Sequence, residues 1–397
     1  MSVGTAVVLA AGEGTRLRPL TRNRPKPMLP AGNRPILEHV LDSLVDVGID
    51  QLVLVVGYRR TRVQEHFGHE YRDVPIEYVV QDKQLGTGHA LSQAREVVSE
   101  AHLVVNGDHL VEASAISAVQ DTFESTDTPA TLAVIEREDA SKYGAVTVAD
   151  GLVREIVEKP QTGTYRLINA GIYAFEPGIF DAIEQTERQE GELALTDTLA
   201  DLVDRDRVTA VEVAGLWVDA NYPWDLLSVA SEVLDGERVV EPEEKARAWV
   251  SEDARVHEDA TLQPPVVVGP DSEIGAGAVV GPTVAIGQNV TVEANATIQR
   301  AVLDVDSRIG PGATVSDAIL GADSTLGAAG TIPGGPGDVR IDRRIFENQP
   351  LGAVLADRVS ARGGVTFEPG TLVGPGATIG TGVTVDGNVP EDAEVVR

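Results

Sequence analysis

Short apolar runs alternate with amphipathic segments over the first 235 residues of the chain. Runs rich in Val, Ile and Leu predict buried strands, and they read AVVLAA, QLVLVVG, IEYVVQ, AHLVVNGD and ATLAVIE. Segments with helical spacing lie among them and read PILEHVLDSLVDVG, GHALSQAREVVSE and SAISAVQDTFES. This alternation predicts an α/β domain with a Rossmann-like, mostly parallel sheet that is covered by helices on both faces.

The second half of the chain follows a different period, in which apolar residues recur every six positions. After the charged stretch GERVVEPEEKAR the repeat runs through Val250, Val256, Leu262, Val268, Ile274, Val280, Ile286, Val292 and Ile298. It is interrupted at DVDSR, resumes at Ile309 and Val315, and runs again through Leu355, Ala361, Phe367, Val373, Ile379 and Val385. A six-residue repeat is typical of a parallel β-helix, in which three hexapeptides form one coil.

This repeat resembles the left-handed hexapeptide β-helix. The sequence therefore predicts three parts: an α/β domain over residues 1–235, a linker over 236–249, and a left-handed parallel β-helix over 250–397.

The charge of the chain is strongly negative, with 62 acidic and 32 basic residues and a formal net charge of -30. Such a surface repels polyanions, so we expect neither nucleic acid nor an anionic membrane as a partner. Only five of the basic residues are Lys, and an acidic, Arg-rich composition fits a protein from a halophile. An ordinary acidic cytosolic protein is the alternative.

Several other classes are excluded by composition. The chain has no Cys, which rules out a disulfide framework and a thiolate metal site. No apolar run reaches the ~20 residues of a membrane helix, and the N-terminus leads straight into a predicted strand without a signal peptide. We therefore expect a cytoplasmic protein.

Against this acidic background, one stretch gathers positive charge. LAAGEGTRLRPLTRNRPKPMLP, residues 9–30, carries Arg16, Arg18, Arg22, Arg24 and Lys26 behind two glycines. It is not a dinucleotide fingerprint, because position 17 is Leu where a third glycine is required, and no Walker pattern is present. Glycines after a strand expose backbone N–H groups that can bind an anion, and the prolines around Lys26 stiffen its segment.

These residues resemble the signature of sugar-1-phosphate nucleotidyltransferases, the family of glucose-1-phosphate thymidylyl- and uridylyltransferases and N-acetylglucosamine-1-phosphate uridylyltransferases. The resemblance spans the whole chain, because bifunctional members carry a left-handed β-helix after the transferase domain. It implies an enzyme that transfers a nucleotidyl group from UTP or dTTP to a sugar 1-phosphate, giving NDP-sugar and pyrophosphate. Gln81 could pair with either uracil or thymine, so the base stays open.

Further motifs follow in the order of the family: QDKQLGTGHA, NGDHL, YGAVTV, IVEKP, INAGIYAF and WVDANYPWD. The resemblance implies that the nucleotide is bound by Leu9, Ala10, Ala11, Gly12, Gly14, Thr15, Arg16, Gln81, Gly86, Thr87 and Asp108. It implies that the sugar phosphate is bound by Lys26, Gly144, Glu158, Lys159 and Asn169. The implied catalytic residues are Arg16, Lys26, Asp108 and Asp219.

The same resemblance implies that Asp108 and Asp219 are the metal ligands, and their all-oxygen donor set favours Mg²⁺. Asp225 lies close to Asp219 in the sequence and remains an alternative to it. The reaction needs no general base, because a sugar phosphate is already ionised at neutral pH. Positioning and neutralisation of the phosphates can supply most of the rate.

The second half departs from the bifunctional relatives, which use a histidine in the β-helix to transfer an acetyl group. Here the last His is His257, and TIPGGPGDVRIDRRIFENQPLGAV holds arginines but no His. Only a carboxylate such as Asp338 or Asp342 could accept a proton there. We expect a nucleotidyltransferase whose β-helix is structural and forms a homotrimer. A bifunctional enzyme that also acetylates an amino sugar 1-phosphate, and a non-catalytic sugar-nucleotide sensor, are the alternatives.

The acidic, lysine-poor composition leads to a prediction about salt. We expect the melting temperature to hold or rise between low and molar KCl, because screening relieves repulsion among the carboxylates. Thermal unfolding across a KCl series measures this. A protein that is most stable at low ionic strength would contradict a halophilic origin.

Overall fold

The computed structural model describes residues 3–138, 140–160, 165–189, 191–205 and 207–397. The chain divides into two compact units. The first, which we call the sheet unit, comprises the described residues of Met1–Glu13, Pro25–Met28 and Ile36–Val218. The second, which we call the coil unit, comprises Gly14–Arg24, Leu29–Pro35 and Asp219–Arg397.

The elements before position 236 are short strands and helices. The strands are β1 Thr5–Ala10, β2 Pro30–Ala31, β3 Arg34–Pro35, β4 Gln51–Val56, β5 Glu70–Tyr71, β6 Val74–Val80, β7 His102–Asn106, β8 His109–Val111, β9 Ala130–Glu136, β10 Gly144–Ala149, β11 Leu152–Glu158, β12 Leu167–Phe175, β13 Val208–Glu212 and β14 Trp217–Asp219. The α-helices are α1 Ile36–Asp46, α2 Arg60–Phe67, α3 Thr87–Ser92, α4 Ala113–Ser125, α5 Ile179–Gln185, α6 Leu195–Val203 and α7 Asp225–Asp235. Single 3-10 turns cover Thr15–Leu17, Leu20–Arg22, Lys26–Met28 and Ala140–Lys142.

The sheet unit is built on one ten-stranded sheet with the order β10-β11-β13-β9-β12-β7-β1-β4-β6-β5. Strands β7, β1, β4 and β6 are parallel neighbours. Their carboxyl ends therefore meet at one edge of the sheet, which is where open α/β sheets bind their ligands.

The prediction of a mostly parallel sheet is correct for this part and for the parallel pair β9 and β13. It is wrong for the other pairings of the sheet. Strand β12 runs antiparallel to both β7 and β9, and β10 and β11 form an antiparallel hairpin. The turn between them is Asp150–Gly151, with φ of 55° and 76°. Positive φ at both positions of a two-residue turn is what a type I′ hairpin requires, and Asp-Gly favours it.

Helices cover both faces of the sheet, as the sequence predicted. Along β1, Ala6 and Val8 pack into one buried cluster with residues of α1 and α4. Val7 and Leu9 pack into the opposite cluster with residues of α3, α5 and α6. Alternate residues of a strand point to opposite faces, so an unbroken apolar run is what a strand buried on both sides needs.

Helix α3 is shorter than its apolar pattern predicts. After Ser92 the backbone continues in turns that bond three residues back, from Ala94 N to Leu91 O at 2.9 Å and from Val97 N to Ala94 O at 3.1 Å. The buried face still includes Leu91, Ala94 and Val98. The β-branched pair Val97–Val98 is stiff at χ1 and disfavours a regular helix.

Beyond position 242 the coil unit is built from short strands, most of them parallel to their neighbours. They are β15 Glu243–Lys245, β16 Ala248–Val250, β17 Arg255–Val256, β18 Thr261–Leu262, β19 Val266–Val268, β20 Glu273–Ile274, β21 Val279–Val280, β22 Val284–Ile286, β23 Thr291–Val292, β24 Thr297–Leu303, β25 Arg308–Ile309, β26 Thr314–Leu320, β27 Thr325–Leu326, β28 Thr331–Pro333, β29 Gly337–Ile341, β30 Arg344–Gln349, β31 Ala353–Leu355, β32 Ser360–Ala361, β33 Thr366–Phe367, β34 Thr371–Val373, β35 Thr378–Ile379, β36 Thr384–Val385, β37 Asn388–Val389 and β38 Glu394–Val395.

These strands pair in steps of one coil. Val250 pairs with Val268 and Val268 with Ile286, so successive partners lie 18 residues apart. Ile274 and Val280 follow the same step to Val292 and Ile298. Three strands within each 18-residue step, all parallel to the next step, are consistent with a β-helix.

The six-residue repeat supplies the core of this unit. Its apolar residues belong to one cluster that extends from Val268 to Val385, with Val250, Val256 and Leu262 partly buried against its first coils. Inside the cluster Phe367 is among the largest fully buried side chains.

Two irregularities in the repeat have structural causes. Ile286 pairs with Leu303, which is a step of 17 residues instead of 18. The hexapeptide that ends at Leu303, just before DVDSR, is therefore one residue shorter than the others. Leu320 pairs with Leu355, a step of 35 residues, because the antiparallel hairpin β29–β30 is inserted between them.

Helix α7 packs within the coil unit. Its Leu234 is fully buried in a cluster with Trp249, Val267 and Ala285. The segment 236–249 that was predicted to be a linker contains β15 and most of β16, and β16 pairs with β19. The domain boundaries at 235 and 250 stay predictions. In the part of the chain that the structure describes, no helix combines the length and the apolar character that a membrane crossing needs.

Candidate active site

The signature begins at the carboxyl end of β1, where neighbouring loops hold its backbone. Leu9 O accepts the N–H of Gly107 at 3.0 Å. Ala11 O accepts the side-chain amide of Gln84 at 3.0 Å and the N–H of Tyr58 at 3.3 Å. Gln84 lies in a motif quoted above, but its support of the signature was not predicted. Leu9, Ala10 and Ala11 are thus buried and fixed.

Gly12 differs from these residues because it is exposed. A Cβ at position 12 would meet nothing within 4 Å, whereas a Cβ at Gly57 would lie 2.9 Å from Gln81 O. Packing within the sheet unit therefore requires glycine at 57 and not at 12. Glycine at 12 leaves the backbone open to close approach by another group.

The next part of the signature belongs to the coil unit. Gly14 has φ of 66°, in the left-handed region where glycine is favoured, and starts the 3-10 turn that contains Thr15 and Arg16. Gly14 O accepts the N–H of Leu17 at 3.0 Å and the hydroxyl of Thr21 at 2.8 Å. Thr15 and Arg16 are exposed. The turn thus holds an arginine and backbone amides at the surface, as an anion site requires.

Asp219 and Arg16 are connected by a residue that was not singled out from the sequence. Asn221 donates its side-chain N–H to Asp219 Oδ2 at 2.7 Å, and its Oδ1 lies 3.5 Å from Arg16 Nη1. Asn221 is part of the quoted WVDANYPWD, so the signal for it was available. Asp225 has another position: its Oδ2 accepts the backbone N–H groups of Asn221 and Tyr222, both at 2.8 Å.

Lys26 and Asp108 form an ion pair in the sheet unit. Lys26 lies in the 3-10 turn Lys26–Met28, is 8% exposed, and places Nζ 2.8 Å from Asp108 Oδ2. Asp108 follows β7, at the edge where the parallel strands end. The stiff Pro-flanked segment predicted from the sequence therefore presents its lysine to the predicted metal carboxylate.

The charge of Asp108 is strongly stabilised. Partial burial acts to raise the pKa of Asp108, but the Lys26 ammonium outweighs it, with help from His109 and hydrogen bonds, and lowers the pKa to about 2. The carboxylate is therefore ionised throughout the physiological range. His109 packs edge-on against Trp217, with ring centroids 5.1 Å apart, and Trp217 precedes Asp219 by two residues.

Gln81, Gly86 and Thr87 form one connected structure. Gln81 is buried, and its Nε2 lies 3.1 Å from Gly86 O and 3.0 Å from His89 Nδ1. Burial lowers the pKa of His89, and Arg188 adds to this, which favours the neutral imidazole that can accept from Gln81. Thr87 Oγ1 accepts the N–H of Leu195 at 3.0 Å.

The predicted sugar-phosphate residues also lie together. Gly144 and Glu158 are opposite each other in the β10–β11 hairpin. A Cβ at Gly144 would lie 3.3 Å from Glu158 Oε2 and 3.6 Å from Asn169 Cβ. Lys159 has φ of 44° and places Nζ 2.8 Å from Glu158 Oε1.

Asn169 is held by a residue that the sequence did not indicate. Its Nδ2 donates to the Tyr173 hydroxyl at 2.7 Å, and its Oδ1 accepts the N–H of Gly171 at 2.9 Å. Burial raises the pKa of Tyr173, so the phenol stays protonated. Within the sheet unit the structure thus groups Lys26 with Asp108, and Gly144 with Glu158, Lys159 and Asn169. Within the coil unit it groups Gly14, Thr15 and Arg16 with Asp219.

An α/β unit with a glycine loop, a buried lysine and an acid at its strand ends combines groups that can bind phosphate. The chain belongs to the nucleotidyl transferase family, whose model matches residues 5–236, more than half of the chain. A model of the GMPPB C-terminal domain matches residues 262–368.

Individual relatives agree with this assignment. The bifunctional protein GlmU of Methanococcus maripaludis is 37% identical over 234 residues, which are 58% of this chain and 54% of that protein. The UTP–glucose-1-phosphate uridylyltransferase AglF of Haloferax volcanii is 37% identical over 224 residues, 55% of this chain and 92% of that protein. The chain thus spans about half the length of GlmU and nearly all of AglF.

A solved structure shows the same similarity in three dimensions. It is titled a putative glucose-1-phosphate thymidylyltransferase from Bacillus anthracis in complex with a sucrose. It aligns with a TM-score of 0.53 and 26% sequence identity, and the alignment covers 57% of this chain and 93% of that chain.

The positions of Asp219 and Asp225 lead to a prediction about stability. Asp225→Ala should lower the free energy of unfolding by about 2 kcal/mol, because two backbone N–H groups lose a charged acceptor. Asp219→Ala should lower it by less than about 1 kcal/mol, because it removes the acceptor of one side-chain amide. Urea denaturation of both variants makes the comparison. A larger loss in Asp219→Ala would show that Asp219 is the structural acid.

Proposed function

We propose that this protein transfers a nucleotidyl group from UTP or dTTP to a sugar 1-phosphate and releases pyrophosphate. The observation that carries the proposal is the ion pair of a nearly buried Lys26 with Asp108 at the carboxyl edge of the sheet. A lysine held rigidly beside a strand-end acid is suited to neutralising phosphate charge during transfer. The names of the relatives, a UTP–glucose-1-phosphate uridylyltransferase and a thymidylyltransferase, support the two nucleotides.

In this reaction an oxygen of the sugar phosphate attacks the α-phosphorus of the nucleotide, and the bond to the β-phosphate oxygen breaks. Both partners are anions, so their repulsion contributes much of the barrier. Lys26 would neutralise the α-phosphate and the incoming sugar phosphate. Arg16 and the amides of residues 12–15 would hold the β- and γ-phosphates that leave together as pyrophosphate.

The residues present fit a divalent cation, for which we propose Mg²⁺. Asp108 and Asp219 offer carboxylate oxygens, the ligands that Mg²⁺ prefers, and Asp108 is ionised because of its low pKa. The family motifs NGDHL and WVDANYPWD, which carry these two acids, support assigning them to one ion. When bound, the ion would neutralise phosphate charge.

The remaining predicted residues would select the substrates. Gln81 would contact the pyrimidine edge, with Gly86 and Thr87 beside the base. Gly144, Glu158, Lys159 and Asn169 would bind the sugar phosphate, with Lys159 as their positive group. These residues lie on or next to the paired strands β10, β11 and β12, which supports a common role.

The test is a pyrophosphate-release screen of the full-length protein over UTP, dTTP, ATP, CTP and GTP against a panel of sugar 1-phosphates, with Mg²⁺. We expect turnover with UTP or dTTP. Asp108→Asn should abolish it, and Lys26→Met should lower kcat by on the order of 10²-fold, because each removes a charge that acts on the transition state.

Arg166→Met is a suitable control, because Arg166 is an exposed cation whose ion-pair partner is the exposed Glu136. This variant should keep the wild-type kcat. Full activity of Asp108→Asn in the presence of metal would remove Asp108 from the site. Binding of NDP-sugar without any turnover would favour the non-catalytic sensor.

Acetyl transfer by the coil unit has little support in the structure. The stretch that carries Arg340, Arg343 and Arg344 forms the β29–β30 hairpin. Phe346 on this hairpin packs against Tyr222 and Trp224, with centroids 4.7 and 5.3 Å apart. The hairpin thus packs against the loop that follows Asp219. Release of CoA from acetyl-CoA with glucosamine 1-phosphate would restore the bifunctional alternative.

We propose further that the coils are left-handed and that the protein is a homotrimer associated through them. One stack presents short side chains in register: Thr297, Thr314, Thr331, Thr366 and Thr384. A flat face of this kind can pack against neighbours around a closed rotation axis. Light scattering should give three chains per particle, and one chain per particle would refute the assembly.

A further inference from the structure

Arg24 belongs to the basic signature, yet its side chain binds protein carboxylates. Its Nη1 lies 2.5 Å from Asp304 Oδ2, and its Nη2 contacts Asp357 Oδ1. The three side chains are only 11%, 14% and 7% exposed. The acids lie 280 and 333 residues further along the chain.

Both acids lie at corresponding corners of the coils. Asp304 follows β24, and Asp357 comes two residues after β31. Leu303 pairs with Leu320 and Leu320 with Leu355, so Gly321 occupies the corner of the coil between them. A Cβ at Gly321 would lie 2.7 Å from both the backbone N and the Oδ1 of Asp357, so glycine leaves space for the backbone and the carboxylate of the next coil.

Each carboxylate also has a backbone partner. Asp304 Oδ1 accepts the N–H of Val305 at 2.8 Å, and Asp357 Oδ1 accepts the N–H of Ala322 at 3.2 Å. The acids are therefore fixed on the coils independently of Arg24. Burial acts to lower the pKa of Arg24, but the two carboxylates outweigh it and raise the pKa.

Arginine is suited to this position because its planar guanidinium carries separate N–H donors for two acceptors. Lysine has a single point charge and cannot hold two carboxylates in a fixed fork. Removing the cation would also leave two partly buried carboxylates without compensation, which is costly. The geometry thus demands both the charge and the shape of arginine.

The segment that Arg24 terminates carries the proposed phosphate-binding groups. Leu17, Leu20 and Thr21 of this segment are buried, and Thr21 donates to Gly14 O at 2.8 Å. Gly14 and Arg16 are thus internally connected to the part of the segment that ends at Arg24. A fixed Arg24 restricts where Arg16 can lie.

We propose that Arg24 is a positioning residue whose two ion pairs, to Asp304 and Asp357, fix the segment Gly14–Arg24 on the coils and hold Arg16 for the triphosphate. This inference rests on the proposed function. It gives the coils a direct part in nucleotide binding. Arg24 is not itself a ligand of phosphate.

The test compares full-length variants in three measurements: KM for the nucleotide and kcat by pyrophosphate release, hydrogen exchange of peptides covering residues 14–24, and melting temperature. Arg24→Lys keeps the charge and loses the fork. We expect it to raise KM for the nucleotide at least about tenfold, with a smaller change in kcat, and to speed exchange in the segment about tenfold. Exchange in β33 and β36 should not change.

A second variant separates positioning from stability. The combination Arg24→Gln, Asp304→Asn and Asp357→Asn leaves no charge unpaired and should melt close to the wild type. We expect it to show the same higher KM and faster exchange of residues 14–24. The control is Glu391→Gln, because Glu391 lies 3.8 Å from Arg22 of the same segment in an exposed pair. It should stay within about twofold of the wild type.

Unchanged KM and unchanged exchange in both Arg24 variants would overturn the proposal. A lower melting temperature with unchanged KM would also overturn it, because it would show a purely structural role. If the wild type releases no pyrophosphate with any nucleotide, the proposed function fails. Hydrogen exchange then decides the anchoring alone, and faster exchange in the segment supports it.

Discussion

The ion pair of Lys26 with Asp108 is the interaction on which the candidate site depends. It places a cation that is largely removed from water at the end of the parallel strands, where the sheet opens to ligands. The pair is stable there because each charge compensates the other, which keeps the pKa of Asp108 near 2 despite partial burial. A chain with a net charge of -30 can hold cations for phosphate only by fixing them locally.

Patterns that repeat along the chain were predictable, because each repeat adds independent support. The coil residues from Val268 to Val385 lie in one core, and the β1 residues alternate between two clusters. The antiparallel β10–β11 pair was not predicted, although the turn residues Asp150–Gly151 favour a hairpin. The prediction used only the apolar runs and did not consider which residues favour turns. The hairpin β29–β30 was not predicted, because an element that is inserted once does not follow the six-residue repeat.

The site was predictable residue by residue and not as an arrangement. Local motifs contain Lys26, Asp108 and Asp219. The sequence does not show which of the five basic residues between positions 16 and 26 forms ion pairs with acids of the protein itself. Arg24 and Lys26 are only two positions apart. Arg24 forms ion pairs with Asp304 and Asp357, whereas Lys26 forms an ion pair with Asp108. Asn221 and Tyr173 were not found because their roles are contacts with other side chains of the site.

The contrast between these two cations also says what the second half of the chain contributes. A structural β-helix could have been appended without contact to the signature, and then Gly14–Arg24 would pack with the sheet. Instead this segment belongs to the coil unit, and Arg24 forms ion pairs with Asp304 and Asp357 on the coils. The largely buried ion pairs of Arg24 fix the backbone segment that carries Arg16. The coils therefore act as part of the scaffold on which the proposed phosphate site is built.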